Sequence, residues 1–161
     1  MAGTILQSDL SVTINESISL NGVSYGNTMS KTFAGNGKVD QRIMTIAATE
    51  ERASYTSVLD FKTVDAKGQV ILADYSYFRI TNTDDTNFIT LQLYISAASS
   101  AFFKLQAGES FLLMSPEFAV TCEVAEPSLA GVVEVLAGAD TASVDVEYVA
   151  VTKGGVGEEE E

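Results

Sequence analysis

The chain contains no histidine and no tryptophan, and it has one cysteine and two prolines among its 161 residues. Without histidine it lacks the commonest general base and the commonest metal ligand, and a single cysteine excludes an internal disulfide. No Ser-x-x-Lys motif occurs, and no serine can be activated as a nucleophile by histidine because the chain has none. We therefore predict a protein that is not an enzyme, has no catalytic or metal site and needs no cofactor.

Positive charge is scarce as well. Nine Lys and Arg residues stand against 22 Asp and Glu, which gives a net charge of −13. The basic residues are scattered, whereas nucleic acids and anionic membranes are bound by clustered positive charge. The first residues lack the basic and apolar regions of a secretory signal. We expect no nucleic-acid or membrane partner and synthesis in a reducing cytoplasm, with Cys122 acting as a small buried hydrophobic residue.

Alternation with a period of two is the dominant pattern, and it is typical of half-buried strands. It is clearest from Ile89 to Ile95 and from Val144 to Ala150. Asn21-Gly22 is a strong hairpin turn. Further turn sequences, each expected to close a hairpin, stand at residues 65–68, 106–109 and 138–140. Short strands at this spacing predict an all-β fold, an antiparallel sandwich with jelly-roll-like connections.

The pattern also suggests how the chain is divided. It is weaker before Val39, so we predict an extended N-terminal arm with weakly patterned strands over 1–38, a sandwich core over 39–153 and a flexible acidic tail over 154–161. The apolar residues between 39 and 48 change phase near Ile43-Met44, which predicts a β-bulge or a bend there.

Three groups of side chains deserve a test for chemistry. Asp145 and Glu147 are two residues apart on one strand, as a two-carboxylate glycosidase would allow, but alternating acids also mark a solvent-facing strand, which we favour. Asp84-Asp85 is rich in oxygen but lacks the spacing of a calcium loop, and Asp favours tight turns. Residues 35–38 contain Gly and Lys without the spacing of a phosphate loop.

Three segments carry a resemblance to a known class: Arg-Ile-Thr-Asn-Thr at 79–83, Phe-Ile-Thr-Leu-Gln-Leu at 88–93 and Lys-Leu-Gln-Ala-Gly-Glu-Ser-Phe-Leu-Leu at 104–113. A strand ending in Ile-x-Asn is followed by an alternating strand and a Leu-x-x-Gly-Glu-Ser turn. Across residues 75–124 the chain resembles the small β-sandwich proteins of tailed-bacteriophage particles, such as capsid decoration (cement) and tail-associated proteins.

The resemblance implies a virion component that is assembled in the host cytoplasm as a symmetric homo-oligomer, with a trimer favoured. We predict a capsid decoration protein that binds the major capsid protein and stabilises the particle by non-covalent contacts. An arm over Ala2 to Leu20 would add a strand to a neighbour or lie in its groove. The alternatives are a tail, baseplate or fibre component, or a carbohydrate-binding module. The candidate sugar-binding residues of such a module are Tyr25, Tyr75, Tyr77 and Tyr94.

Overall fold

The structure is a computed structural model that describes residues 8–60, 75–96, 99–114, 117–119, 129–131 and 134–153. These ranges form thirteen β-strands and a single 3-10 turn at Arg52–Ser54. The strands are β1 Ser8–Asn15, β2 Ile18–Leu20, β3 Val23–Tyr25, β4 Thr28–Ile46, β5 Thr56–Asp60, β6 Tyr75–Asn82, β7 Ile89–Ser96, β8 Ser99–Leu105, β9 Ser110–Leu113, β10 Glu117–Ala119, β11 Leu129–Gly131, β12 Glu134–Ala139 and β13 Val144–Lys153. The predicted turn at 65–68, Cys122 and the acidic tail lie outside the described residues.

Two antiparallel sheets face each other. The larger has the strand order β1-β4-β13-β6-β9, and the smaller has the order β5-β12-β7-β8. Their facing side chains form one core, in which Phe78 and Val146 of the first sheet pack with Leu91 and Val135 of the second. Burial of such side chains contributes roughly 25 cal/mol per Å² of apolar surface. The predicted antiparallel β-sandwich is confirmed, and the jelly-roll connectivity stays a prediction.

The strongest alternations in the sequence lie where they were expected. Ile89, Leu91 and Leu93 of β7 are buried in the core. In β13, the residues from Val144 to Ala150 alternate between the core and the outer face, which is the side of the five-stranded sheet turned away from the smaller sheet. β13 lies between β4 and β6 and pairs with both. Its core-facing side chains are therefore flanked by those of β4 and β6 and covered by the smaller sheet.

Two predicted hairpins are wrong. β8 pairs with β7, while β9 pairs with β6 in the other sheet, so residues 106–109 form a corner between sheets. Likewise, β12 belongs to the smaller sheet and β13 to the larger, and Gly138 and Ala139 are buried strand residues. Turn residues such as Gly108, with φ of +76°, show where a chain reverses. They do not determine which strand the chain pairs with next.

The predicted bulge near Ile43-Met44 is also wrong. β4 and β13 pair in unbroken register from Ile46 with Val144 to Lys38 with Thr152. The apparent change of phase has another cause: Val39 and Ile43 point to the outer face, where they are 64% and 75% exposed. Alternation continues through the segment, but both faces of the strand carry apolar residues. We call Val39 and Ile43 the outer-face patch.

No helix among the described residues has the length and apolar character required to cross a bilayer.

Candidate functional site

Residues 10–33 form a long two-stranded hairpin, which we call the ribbon. A single register joins Leu10 to Phe33 in the ladder of β1 with β4, and Leu20 to Val23 in the ladder of β2 with β3. Between the two ladders the Glu16 N–H donates to the carbonyl oxygen of Asn27 at 2.8 Å. The tip is the predicted Asn21-Gly22 turn, with φ of 51° and 76°, as a type I′ turn requires.

The ribbon lies within the segment predicted to hold an N-terminal arm and weakly patterned strands. Its second strand is the first half of β4, which runs through residue 38 into the five-stranded sheet without a break in the strand. The arm boundary predicted after residue 38 therefore falls inside β4. Because β4 also pairs with β13, the ribbon is anchored to the core through its own backbone.

The two faces of the ribbon differ in chemistry. One face carries hydroxyl pairs: Ser11 with Thr32 at 3.2 Å and Thr13 with Ser30 at 3.0 Å. Because side chains alternate across a strand, the other face carries the apolar residues. We call it the apolar face, and its apolar members are Leu10, Val12, Ile14, Ile18, Leu20, Val23, Tyr25, Met29 and Phe33.

Much of this apolar face is open to solvent. The exposed fractions are 62% for Ile18, 59% for Leu20, 51% for Val23, 54% for Tyr25 and 56% for Met29. Nearer the sheet, Val12, Ile14 and Met29 line a groove of about 370 Å³ together with Met114. A contiguous exposed apolar patch of several hundred Å² marks an interaction surface in a soluble protein.

The apolar face continues onto the outer face of the large sheet. The rings of Phe33, at the base of the ribbon, and Tyr77, on the outer face of β6, have centroids 6.4 Å apart. Val39 and Ile43 lie further along β4 on the same outer face. The ribbon and the outer-face patch therefore present their apolar groups on one side of the molecule.

The predicted carboxylate pair also lies on the outer face, where each acid is tied to a neighbouring strand. The Thr45 hydroxyl donates to Asp145 Oδ1 at 2.6 Å. Glu147 accepts from Gln41 Nε2 at 2.6 Å and from Arg79 Nη2 at 3.0 Å. Such bonds between side chains of neighbouring strands are typical of the solvent-facing side of a sheet, where they stabilise the pairing of the strands.

The Asp84 carboxylate serves its own loop. Its Oδ1 accepts from the N–H groups of Thr86 at 2.7 Å and Asn87 at 2.6 Å. These backbone donors lower the pKa of Asp84, because they stabilise the charged form. The carboxylate thus forms the predicted turn. No cluster of three or more Asp, Glu, Cys or His side chains suited to a metal ion occurs in the part of the chain that the structure describes.

The two motifs that carry the resemblance meet in space. Asn82, the last residue of Ile-x-Asn, is fully buried, and its side-chain amide donates to the carbonyl oxygens of Asn87 at 2.8 Å and Leu105 at 3.2 Å. Its backbone N–H donates to the Glu109 carbonyl at 2.9 Å and its carbonyl accepts from Gly108 N–H at 3.0 Å. The motifs therefore build one corner of the sandwich, a structural role that sequence reasoning did not identify.

The candidate tyrosines do not form a common platform. Tyr25 lies on the ribbon, Tyr77 is buried on β6, and Tyr94 is half-buried on β7 in the opposite sheet. The Tyr75 side chain lies outside what the structure describes. A sugar-binding surface built from these rings would require neighbouring positions on one face, which Tyr25, Tyr77 and Tyr94 do not occupy.

A polar cleft lies between β4 and β5. The Asp40 carboxylate accepts from Arg42 Nε at 2.9 Å and from the Tyr148 hydroxyl at 2.9 Å. Burial of Tyr148, together with its donation to Asp40, raises the pKa of its hydroxyl to about 12. Asp40 and Arg42 lie on the inward side of β4, and inward-pointing charges are a known means of protecting a sheet edge from pairing with another chain.

Comparison with protein-family models, with curated proteins and with solved structures finds no significant match. The site is therefore interpreted from its own geometry.

Proposed function

We propose that this chain is a structural component of a virion, a capsid decoration protein that attaches to the particle and stabilises it by non-covalent contacts. The observation that carries the proposal is the ribbon, whose exposed apolar face lies outside the core that the two sheets enclose. Its partners are other copies of itself, with a trimer favoured, and the major capsid protein. The proposed location is the virion, and the proposed action involves no catalysis.

The energetics favour many copies over one isolated contact. Full burial of a large apolar side chain contributes about 1.5–3 kcal/mol, so covering five half-exposed side chains yields about 5 kcal/mol. Association costs roughly 4–15 kcal/mol in lost freedom of motion. A single ribbon contact is therefore weak by itself. When copies are joined in one oligomer, each further contact of that oligomer with the particle is intramolecular and does not repeat the full cost of association, which suits a decoration protein.

The test changes the apolar face while keeping the fold. The double variant Leu20→Ser, Val23→Ser removes two exposed apolar side chains that pair across the ribbon. Ser19→Ala, Ser24→Ala, on the opposite face, is the matched control. We expect co-sedimentation with particles lacking the protein to weaken by roughly ten-fold or more in the first variant, since about 1.4 kcal/mol corresponds to a factor of ten. Undiminished attachment of that variant would contradict the proposal.

Copy number distinguishes decoration from the tail alternative. A decoration protein covers a capsid in hundreds of copies, whereas a tail, baseplate or fibre component is present in a handful to a few dozen. Quantitative mass spectrometry of purified virions measures this directly. A low copy number would assign the ribbon to a tail assembly.

A further inference from the structure

The ribbon differs electrostatically from the rest of the molecule. Residues 10–33 contain one acid, Glu16, and one base, Lys31, so the ribbon is neutral in a chain whose net charge is −13. Two copies of so acidic a protein repel each other across most of their surface. The neutral ribbon is a place where they can approach closely.

A complementary surface exists on the same molecule. The outer-face patch consists of Val39 and Ile43, which are among the most exposed large apolar residues described. On the neighbouring strand, Glu147 lies opposite Ile43 and is paired with Arg79, while Asp145, two residues before it, has an exposed carboxylate that accepts from Thr45. On the ribbon, Lys31 lies at the apolar face, with its Nζ 5.9 Å from the Phe33 ring centroid. The ribbon thus combines apolar residues with a positive charge, and the outer-face patch combines apolar residues with a neighbouring negative charge.

We propose that the apolar face of the ribbon of one copy packs on the outer-face patch of a second copy. This inference deepens the proposed function by naming the partner of the ribbon, and it rests on that function only for its biological setting. Five half-exposed side chains offer on the order of 500 Å², and together with the surface they cover this reaches the floor of about 1,000 Å² for a specific interface. Because the two surfaces differ, such contacts can close into a ring.

Other arrangements fit the structure less well. Two ribbons packed face to face would bring their Lys31 side chains to the same interface and leave the outer-face patch uncovered. Strand addition along residues 39–46 of β4, on the side away from β13, would have to accommodate the inward charges of Asp40 and Arg42. Packing on the outer face avoids both costs.

Disulfide trapping tests the contact. In a Cys122→Ser background, protein carrying Val23→Cys is mixed with protein carrying Ile43→Cys and oxidised mildly. A disulfide needs Cα atoms within roughly 7 Å, so we expect the mixture to cross-link roughly ten-fold more than the control. The control is Ser24→Cys with Ile43→Cys, because Ser24 is adjacent in sequence but lies on the opposite face of the ribbon. Circular dichroism confirms that each variant is folded.

Each outcome decides the proposal. Cross-linking in the mixture, together with a solution mass that is a multiple of 17.1 kDa and falls for Ile43→Ser, supports it. Cross-linking of the Val23→Cys protein with itself overturns it in favour of ribbon-to-ribbon pairing, and a monomer without cross-links overturns it in favour of a capsid partner alone. A monomer that still attaches to particles leaves the proposed function intact. An oligomer that does not attach contradicts the proposed function instead.

Discussion

At the scale of single residues, Asn82 has the clearest structural role. It ends β6, is fully buried and connects the 83–88 loop to the corner that leads from β8 to β9. An asparagine suits this position because its amide both donates and accepts. Its Nδ2 donates to two carbonyls while its Oδ1 accepts from the Asp84 N–H at 3.0 Å.

Replacing this amide should destabilise the whole sandwich. We expect Asn82→Ala to lower the free energy of unfolding by about 3 kcal/mol, because it leaves two carbonyls and one N–H without their partner in a buried corner. Urea unfolding followed by circular dichroism measures the change. Asn87→Ala is the control: its side-chain amide makes a 3.2 Å bond to Asp84 and is half-buried, so its effect should stay below about 1 kcal/mol. Equal losses in both variants would contradict this role for Asn82.

Tyr148 should make stability depend on alkaline pH. Its pKa is raised from 10.0 to about 12 in the folded chain. The unfolded chain therefore loses the tyrosine proton first, and the folded state binds more protons between these values. Stability is full below pH 10 and falls as pH rises from 10 to about 12, with a slope of at most about 1.4 kcal/mol per pH unit.

Comparison with Tyr148→Phe isolates this contribution, because burial also raises the pKa of Tyr77 and that effect is common to both proteins. The variant lacks the hydrogen bond to Asp40, so it should start about 1 kcal/mol less stable at neutral pH. Its free energy of unfolding should then fall less steeply above pH 10. If the free energies of unfolding of the two proteins fell in parallel above pH 10, the Tyr148 hydroxyl would have the same pKa in the folded and unfolded states, and the prediction would be wrong.

At the scale of elements, sequence patterns predict strands better than they predict strand partners. β7 and β13 were predictable because only one of their faces meets the core, which enforces alternation. That the chain crosses between the sheets at 106–109 and 140–143 was not predictable, because a hairpin and a crossing between sheets use the same turn residues. The decisive information is the long-range pairing of β9 with β6 and of β13 with β4 and β6, which local sequence does not contain.

The ribbon was predictable only in part. Asn21-Gly22 indicated its turn. The strand after the turn appeared weakly patterned, because its few apolar residues did not form the pattern of a strand that packs on a core. A sharper signal is the mirrored alternation on both sides of the turn. Ile14 and Met29 stand equally far from it, as do Leu10 and Phe33, and each pair is directly opposed in the structure. The exposure of the ribbon's other apolar side chains, such as Ile18 and Leu20, makes the ribbon a candidate site, and this exposure is a tertiary property that requires the structure.

At the scale of the whole molecule, the net charge should govern assembly. Between about 0.02 M and about 0.5 M NaCl the screening length falls from about 20 Å to about 4 Å. We expect self-association to strengthen several-fold over this range, because salt screens the repulsion between chains of charge −13 while the apolar contact is retained. Sedimentation velocity measures the change. Dissociation at high salt would indicate that ion pairs, rather than apolar contacts, hold the copies together.

The position of β13 has a consequence for biosynthesis. It is the central strand of the larger sheet, yet it follows both of its partners, β4 and β6, in the sequence. The ribbon can form while translation continues, since its two strands are joined by a two-residue turn. By contrast, β4 and β6 have no shared partner until residues 144–153 have been translated, so the larger sheet is completed after the ribbon.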